Sequence, residues 1–460
     1  MTKINKYFGD RKFYKSVLAV SIPIMIQNGI TSFVSMLDNV MIGALGTEAM
    51  SGVSIVNQLL FIFGMMIFGA GAAGGIFTSQ YHGAGDTEGV KHTFRMKTYI
   101  NLAIALGAIL LLAFFGTEAI SLFLHSGDSE GDLALTLAYG EEYLWIMLLS
   151  IVPYAMSQVY SSTLRETEEA NLPVYSGIIA IAVNCSLNAV LIFGLFGAPA
   201  LGVKGAAIAT VISRFVELFF LVAVVYIKRE KYRFIKGAFS SFFVPGTLIA
   251  SIVKKGFPLM FNELLWALAM TMRNQCISTA GLDAVAAMNI QSTMFNVLNI
   301  AYMALGNAIA IIIGNLLGGG RLEEAKDADR KLLVFATMAG AVMGILQIAS
   351  APFFPLIYNT SNSVRQLATY MLITSALSMP LNALAVSTYY TLRSGGLALL
   401  TMLFDCVYAW VLTVPAAFVF SELINVGIHW LFAIVTFVEC SKCILGVILV
   451  TRVKWARKLT

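Results

Sequence analysis

The stretch PIMIQNGITSFVSMLDNVMIGALG (residues 23–46) is almost entirely apolar, yet it contains the acid Asp38. A helix needs about 20 mostly apolar residues to cross roughly 30 Å of hydrocarbon, and this stretch is long enough. A charged side chain in such a helix costs at least about 2.5 kcal/mol on insertion scales. Intramembrane acids are rare and usually functional, so Asp38 is the first candidate functional residue.

The same pattern returns at residues 258–281, PLMFNELLWALAMTMRNQCISTAG. At one constant offset the chain aligns with itself without a gap from Pro23 to Val90. The aligned pairs include proline, glycine and acidic positions: Pro23 with Pro258, Gly46 with Gly281, Gly71 with Gly306, Gly83 with Gly318, and Glu88 with Glu323. Chance similarity between apolar helices rarely aligns such residues together, so the pattern indicates an internal repeat.

The composition extends this reading to the whole chain. Of the 460 residues, 58% are hydrophobic and only 12% are charged, against about 25% charged in soluble proteins. We predict an all-α polytopic membrane protein, because the apolar runs have helix length and show no short-period alternation of the barrel kind. Twelve transmembrane helices are expected at 16–44, 48–80, 94–124, 133–163, 173–197, 203–227, 247–280, 284–317, 328–357, 364–392, 396–420 and 424–452.

The repeat divides these helices into two six-helix bundles. We predict an N-terminal lobe at 1–227, a basic cytoplasmic linker at 228–246 and a C-terminal lobe at 247–460. Each half has an even number of spans, so the two are related by a parallel pseudo-twofold axis. Such repeats commonly enclose a cavity that opens alternately to each side, which favours a secondary transporter over a channel or receptor.

Most of the 30 Lys and Arg residues fall on one side of the predicted membrane, in the N-terminal segment, the even-numbered loops and the C-terminal tail. The positive-inside rule then puts both termini in the cytoplasm of a multi-pass protein of the cell membrane. The net charge of +5 needs no nucleic-acid partner, since these bases lie at the membrane face. We expect a monomer.

Polar residues inside the first-lobe spans are candidates for binding the coupling cation. Asn184 and Asn188 lie four apart and therefore on one face of helix five, and Thr210 lies on helix six. With Asp38 they offer carboxylate, amide and hydroxyl oxygens, which hard cations such as Na⁺ bind; a desolvated carboxylate can instead take a proton. The alternative for the two asparagines is interhelical hydrogen bonding.

The second lobe carries its own candidates. Glu263 and Asp405 have no basic residue three or four positions away, and Arg273, which aligns with Asp38, is a candidate counter-ion for either. The alternative to a functional role for Glu263 is that its side chain extends along the helix to the cytoplasmic membrane face (snorkelling). Two further acids have a base at helical spacing and are expected to be structural pairs: Glu217 with Arg214, and Glu439 with Lys442.

Aromatic and methionine side chains suit bulky cationic ligands through dispersion and cation–π contact. Polar residues of helix one join them as candidates for lining a substrate cavity: Gln27, Asn28, Trp266, Met288 and Tyr154.

Several chemistries are disfavoured by what the sequence lacks. It contains no G-x-x-x-x-G-K-[ST] loop for ATP and no H-E-x-x-H, and its four histidines have no ligand spacing. We therefore expect no enzyme, no cofactor and no metal beyond a coupling Na⁺.

Four stretches of the chain resemble the multidrug and toxic compound extrusion (MATE) family, and the likeness covers its whole length. They are LDNVMIGALG at 37–46, LRETEEANLP with NCSLNAVLIFG across helices four and five, LGVKGAAIATVISR opening helix six, and GLDAVAAMNI with IIIGNLLGGG around helix eight. The resemblance implies a V-shaped pair of six-helix bundles. It also implies export of diverse, often cationic compounds against inward flow of H⁺ or Na⁺.

In one branch of that family the cation site lies in the first lobe, and its residues map onto Asp38, Asn184, Asn188 and Thr210. That branch often has Asp where this chain has Asn188, so the choice between H⁺ and Na⁺ stays open. Another branch resembles this chain in having a Glu on helix seven, near Glu263. Its helix-ten Asp is not matched, because Asn382 stands near that place and Asp405 lies on helix eleven.

The leading hypothesis is a cation-coupled antiporter that exports cationic or amphipathic small molecules. The alternative is a flippase for lipid-linked sugars or other polar lipids of the same superfamily. A flippase should have a strongly basic cavity, whereas the spans contain three bases, Arg214, Arg273 and Lys442, against five acids. That balance favours cationic cargo.

Overall fold

The computed structural model describes residues 7–122, 133–358 and 360–460, which contain no β-strand. Within these residues, twelve long helical segments follow one another: α1 Arg11–Gly43, α2 Thr47–Gly83, α3 Thr87–Ser121, α4 Leu133–Glu166, α5 Asn171–Phe193, α6 Val203–Ile227, α7 Gly246–Ser278, α8 Leu282–Gly318, α9 Leu322–Ser350, α10 Asn362–Ser394, α11 Ala398–Leu423 and α12 Ile428–Arg452. The predicted all-α class is confirmed. The end of the predicted third span, beyond Leu122, lies outside the described residues.

Eleven of the described helices are long and apolar enough to cross a membrane. The remaining segment, α7, has 33 residues and resembles the others in length. It differs because it carries Lys254, Lys255, Glu263 and Arg273, which lower its hydropathy. Because of these charges, α7 is not apolar enough to be recognised as a membrane span from its hydropathy. The repeat identifies it as one, since α7 aligns with α1.

The repeated glycines are explained by backbone conformation. Gly46 and Gly281, which are aligned in the repeat, both have positive φ, at 122° and 108°. Gly85 and Gly320 are also aligned, with φ of 74° and 72°. Gly46 and Gly281 lie in the turns between α1 and α2 and between α7 and α8. Gly85 and Gly320 lie in the turns between α2 and α3 and between α8 and α9. Glycine adopts such φ values without the steric cost that a Cβ imposes.

Two kinds of irregularity shape the spans. Proline lies inside five of the described helices, beyond the first turn: Pro23 and Pro258 in the aligned helices α1 and α7, Pro153 in α4, Pro380 in α10 and Pro415 in α11. Proline removes a backbone donor and bends a helix. In addition, α11 contains π-helical turns at Leu403–Val407, Ala409–Thr413 and Val419–Leu423. The first of these turns contains Asp405, and π turns often occur at functional sites.

The chain divides into two compact units. The N-unit comprises Ile26–Thr78 and Asp86–Val253, and the C-unit comprises the described residues of Met1–Met25 with Ser79–Gly85 and Lys254–Thr460. Each has its own apolar core, represented by Ile67, Leu112 and Ile120 in the N-unit. In the C-unit the core includes Ile313 and Phe404. The lobe boundaries taken from the repeat, 1–227 and 247–460 around a linker at 228–246, remain a prediction.

Within the C-unit, the ends of the aligned helices α2 and α8 cross at glycine. A Cβ built on Gly83 would lie 1.9 Å from the backbone oxygen of Asn315, and one built on Gly318 would lie 1.8 Å from that of Gln80. Gln80 and Asn315 are themselves aligned in the repeat, so the contact is symmetric. Only glycine permits backbones to approach this closely.

Candidate functional site

The four first-lobe candidates form one hydrogen-bonded chain in the N-unit. The amide Nδ2 of Asn188 donates to Asp38 Oδ1 at 2.5 Å and to Asn184 Oδ1 at 3.2 Å. Asn184 Nδ2 in turn donates to Thr210 Oγ1 at 3.3 Å. The chain therefore links α1, α5 and α6, and it joins all four residues that the sequence grouped together. Their role in cation binding stays a prediction.

Helical geometry on α5 accounts for this arrangement. Asn184 and Asn188 are one turn apart, so their amides stack along one face and both are buried, at 3% and 1% exposure. Asn188 Oδ1 is buried and has no hydrogen-bond partner among the described residues. Buried polar atoms are nearly always satisfied, so an acceptor left open beside a carboxylate suits a bound cation or a donated proton.

Other candidates in the N-unit have defined partners. Arg214 forms the ion pair with Glu217 that their spacing predicts, at 3.1 Å, and its guanidinium lies over the Tyr154 ring at 5.1 Å from the centroid. Gln27 Oε1 accepts a hydrogen bond from Arg165 at 2.8 Å. Asn28 lies beside Gln27 on α1, half-buried. The cavity role of Gln27, Asn28 and Tyr154 stays a prediction.

In the C-unit, Glu263 and Asp405 belong to one cluster. Tyr389 of α10 donates its hydroxyl to Glu263 Oε1 at 3.4 Å. Asn262, next to Glu263 on α7, donates to Asp405 Oδ2 at 3.3 Å and lies 3.4 Å from the Tyr389 hydroxyl. The two acids are thus connected through an amide and a phenol. Glu263 is held in this cluster by Tyr389, and Lys255, earlier on α7, donates to the Gly396 carbonyl at 2.8 Å.

The charged pairs of this cluster differ from the expected ones. Lys442 contacts Asp405, with Nζ 2.9 Å from Oδ1, and does not pair with Glu439. Arg273 pairs with Glu439, and so it is the counter-ion of neither Glu263 nor Asp405. The expected pair of Glu439 with Lys442 was wrong because helical spacing considers partners on the same helix only. Here the two charges of α12 reach two different helices, α11 and α7.

The remaining cavity candidates lie in the C-unit. Met288 packs against the apolar cluster that includes Ile277 and Ala287. Trp266 is half-buried on α7, one residue beyond Leu265, whose carbonyl accepts from Trp410 Nε1 at 3.0 Å. The cavity role of Met288 and Trp266 stays a prediction.

Sequence reasoning missed three of the residues that build these sites. Asn262 and Tyr389 connect the two second-lobe acids, although neither is charged. The signal for Asn262 was its place beside Glu263 in FNELLW. Lys97 lies near the start of the predicted span 94–124 and was not singled out, yet its side chain is fully buried and its Nζ lies 2.7 Å from Glu166 Oε2 and 3.1 Å from Ser162 Oγ.

Loss of the buried Lys97–Glu166 pair is expected to destabilise the protein strongly. The change Glu166→Gln leaves the Lys97 ammonium buried without a counter-charge, which costs about 3–5 kcal/mol. The matched control is Glu169→Gln, because Glu169 pairs at the same 2.7 Å with Lys231 but both side chains are substantially exposed. Such pairs contribute at most about 1 kcal/mol. Thermal unfolding in detergent compares the two, and equal losses would contradict the assignment.

Comparison with known proteins bears on the fold and the family. The MatE family model matches residues 23–190 and again 258–419. The two matches begin at Pro23 and Pro258, the residues at which the sequence repeat begins. The internal repeat is therefore confirmed.

Two curated relatives align with most of the chain. "Probable multidrug resistance protein YoeA" of Bacillus subtilis (strain 168) is 25% identical over 414 residues, which cover 89% of this chain and 87% of the relative. "Probable multidrug resistance protein NorM" of Thermotoga maritima is 25% identical over 420 residues, covering 90% and 87%. Among solved structures, a mutant of the Vibrio cholerae MATE transporter VcmN superposes with a TM-score of 0.85 at 18% identity, covering 96% of this chain and 97% of that one.

Proposed function

The chain belongs to the multidrug and toxic compound extrusion family, and we propose that it exports diverse cationic or amphipathic compounds in exchange for H⁺ or Na⁺ by alternating access. It is a multi-pass membrane protein whose relatives are named as multidrug resistance proteins. We further propose that it acts as a monomer in the cell membrane with both termini in the cytoplasm, on the basis of the positive-inside rule. No catalytic step and no cofactor enter this account.

The observation that carries the proposal is the hydrogen-bonded chain from Asp38 to Thr210. Asn188 donates to Asp38, which requires an acceptor oxygen on the carboxylate. When a proton or Na⁺ binds that carboxylate oxygen, the oxygen no longer accepts the hydrogen bond from Asn188 Nδ2. The Asn188 amide can then turn its Oδ1, unpaired among the described residues, towards the bound proton or Na⁺. Asn184 and Thr210 transmit this change from α1 to α5 and α6. Cation occupancy at Asp38 would thus bias the packing of three helices, which is what coupling requires.

The charge pairing disfavours the flippase alternative. All three bases that the sequence places within spans are neutralised in their own units: Arg214 by Glu217, Arg273 by Glu439, and Lys442 by Asp405. A cavity that holds a lipid phosphate needs basic side chains available for it. The pairing therefore weighs against a lipid phosphate as cargo.

Transport by purified protein in liposomes tests the function. Efflux of ethidium is followed under an imposed pH gradient and, separately, under an imposed Na⁺ gradient. One gradient should accelerate efflux above the rate of protein-free liposomes, and the matching ionophore, nigericin or monensin, should abolish the acceleration. Dye movement that neither gradient changes would contradict cation coupling. Gradient-independent movement of a fluorescent lipid-linked sugar would favour the flippase.

A further inference from the structure

The ion pair between Lys442 and Asp405 is not used by the proposed coupling at Asp38. Lys442 Nζ lies 2.9 Å from Asp405 Oδ1, and the two side chains are 12% and 17% exposed. The pair is therefore largely desolvated, but a small fraction of each side chain remains exposed. Its basic member is a primary ammonium on a flexible stem, held by one carboxylate oxygen.

A second polar atom at the same place, the side-chain oxygen of Asn262, lacks a hydrogen-bond partner within the described part of the chain. Asn262 is 1% exposed, and its Nδ2 donates to the other oxygen of Asp405 at 3.3 Å. Its Oδ1 is buried with no hydrogen-bond partner among the described residues. Asn262 Oδ1 is thus an unsatisfied acceptor next to Asp405, which is already paired with the Lys442 ammonium. Leaving a buried acceptor unsatisfied is unfavourable, so a ligand that donates a hydrogen bond to it is favoured.

We propose that the Lys442 ammonium occupies, at Asp405, the position that the ammonium group of a transported compound takes when it binds. This second-lobe site then selects ammonium ligands that carry N–H donors. An incoming primary or secondary ammonium displaces Lys442 from Asp405 Oδ1 and donates its further N–H to Asn262 Oδ1. The inference rests on the proposed function, because it names the class of cargo that a cation exporter would recognise here.

Both charges of the exchange keep a partner. At Asp405 one ammonium replaces another, so the carboxylate is never left buried without a counter-charge. The displaced Lys442 ammonium turns to Glu439, which lies three residues before it on α12 and already acts on its charge. A quaternary ammonium has the charge but no N–H, and it would leave both Asp405 Oδ1 and Asn262 Oδ1 without a donor. Sites built around hydrogen bonds reject analogues that lack the donor, because the buried acceptors are then unpaired.

Binding to the purified full chain tests the inference without requiring transport. The probes are phenethylammonium and N,N,N-trimethylphenethylammonium, measured by isothermal titration calorimetry at neutral pH. The native protein should bind the N–H-bearing ligand at least about tenfold more tightly, the loss expected for one unmade hydrogen bond to a charged group. Asn262→Leu should remove most of that preference. Lys442→Met should tighten binding of phenethylammonium, because the competing ammonium is gone.

Two variants guard against indirect effects. Lys326→Met removes a lysine that pairs with Glu323 at 2.7 Å on the surface, and it should change neither affinity. The double variant Lys442→Met with Asp405→Asn carries no unpaired charge, so it should fold and show no preference between the ligands. Equal affinities in the native protein, no binding of either ligand, unchanged binding in Lys442→Met, or a preference that survives in the double variant would each overturn the inference. Such a result would leave gradient-driven efflux, and hence the proposed function, intact.

Discussion

The change Asp38→Asn is expected to reduce gradient-driven ethidium efflux to the rate of protein-free liposomes, while the protein remains folded. The replacing amide keeps an oxygen that accepts from Asn188 Nδ2, so the hydrogen-bonded chain to Thr210 is preserved. It has no ionisable oxygen, so it neither takes up a proton nor supplies the charge that holds Na⁺. Binding and release of the cation would be lost, and with them the force that drives export.

The matched control for this variant is Asp327→Asn, which removes an acid of α9 that pairs with Lys331 at 2.5 Å and is about half exposed. It should transport at the native rate. Size-exclusion profiles and thermal unfolding in detergent establish that both variants are folded. Gradient-driven efflux that survives in Asp38→Asn would move the coupling to Glu263 or Asp405.

The change Gly83→Ala should shift the protein towards the state in which the ends of α2 and α8 are apart. The added Cβ would lie 1.9 Å from the Asn315 carbonyl oxygen, which is backbone and cannot rotate away. Overpacking of this kind costs about 1–3 kcal/mol. If the strain falls only on the state in which the two helix ends touch, it changes the conformational equilibrium by about 5- to 150-fold.

Distances between spin labels near the ends of α2 and α8 report this equilibrium directly. We expect a longer distance in Gly83→Ala and in the symmetric variant Gly318→Ala, together with slower export, since one state of the cycle is disfavoured. Gly71→Ala lies in the same helix, with no atom within 4 Å of its Cβ, and should leave both measurements unchanged. An unaltered distance distribution in Gly83→Ala would contradict a role for the crossing in the transport cycle.

The first-lobe chain of residues was accessible from the sequence because each element of it obeys a simple spacing rule. Asn184 and Asn188 lie one helical turn apart, and Asp38 is the only acid in its span. The repeat aligned Gly46 with Gly281, and both have a positive φ in the structure. Local periodicity and a backbone requirement determine these features.

The second-lobe pairing was not accessible in that way. Lys442 and Glu439 are three residues apart, which suggests a pair within one helix, yet each reaches across to another helix. The choice depends on how α7, α11 and α12 pack, and on the π-helical turn that contains Asp405. Asn262 was overlooked because attention went to the charged residue beside it, Glu263. Tertiary packing determines these contacts, and helical spacing does not contain that information.

The most direct test of coupled exchange uses a gradient of the dye, rather than of the ion, as the driving force. Liposomes that contain the purified protein are loaded with ethidium, with no ion gradient imposed, and internal pH and ²²Na⁺ uptake are followed as the dye leaves. The account predicts that dye efflux drives H⁺ or Na⁺ inwards, and that Asp38→Asn shows no such ion movement. Dye efflux at the native rate with neither ion entering faster than in protein-free liposomes would contradict it.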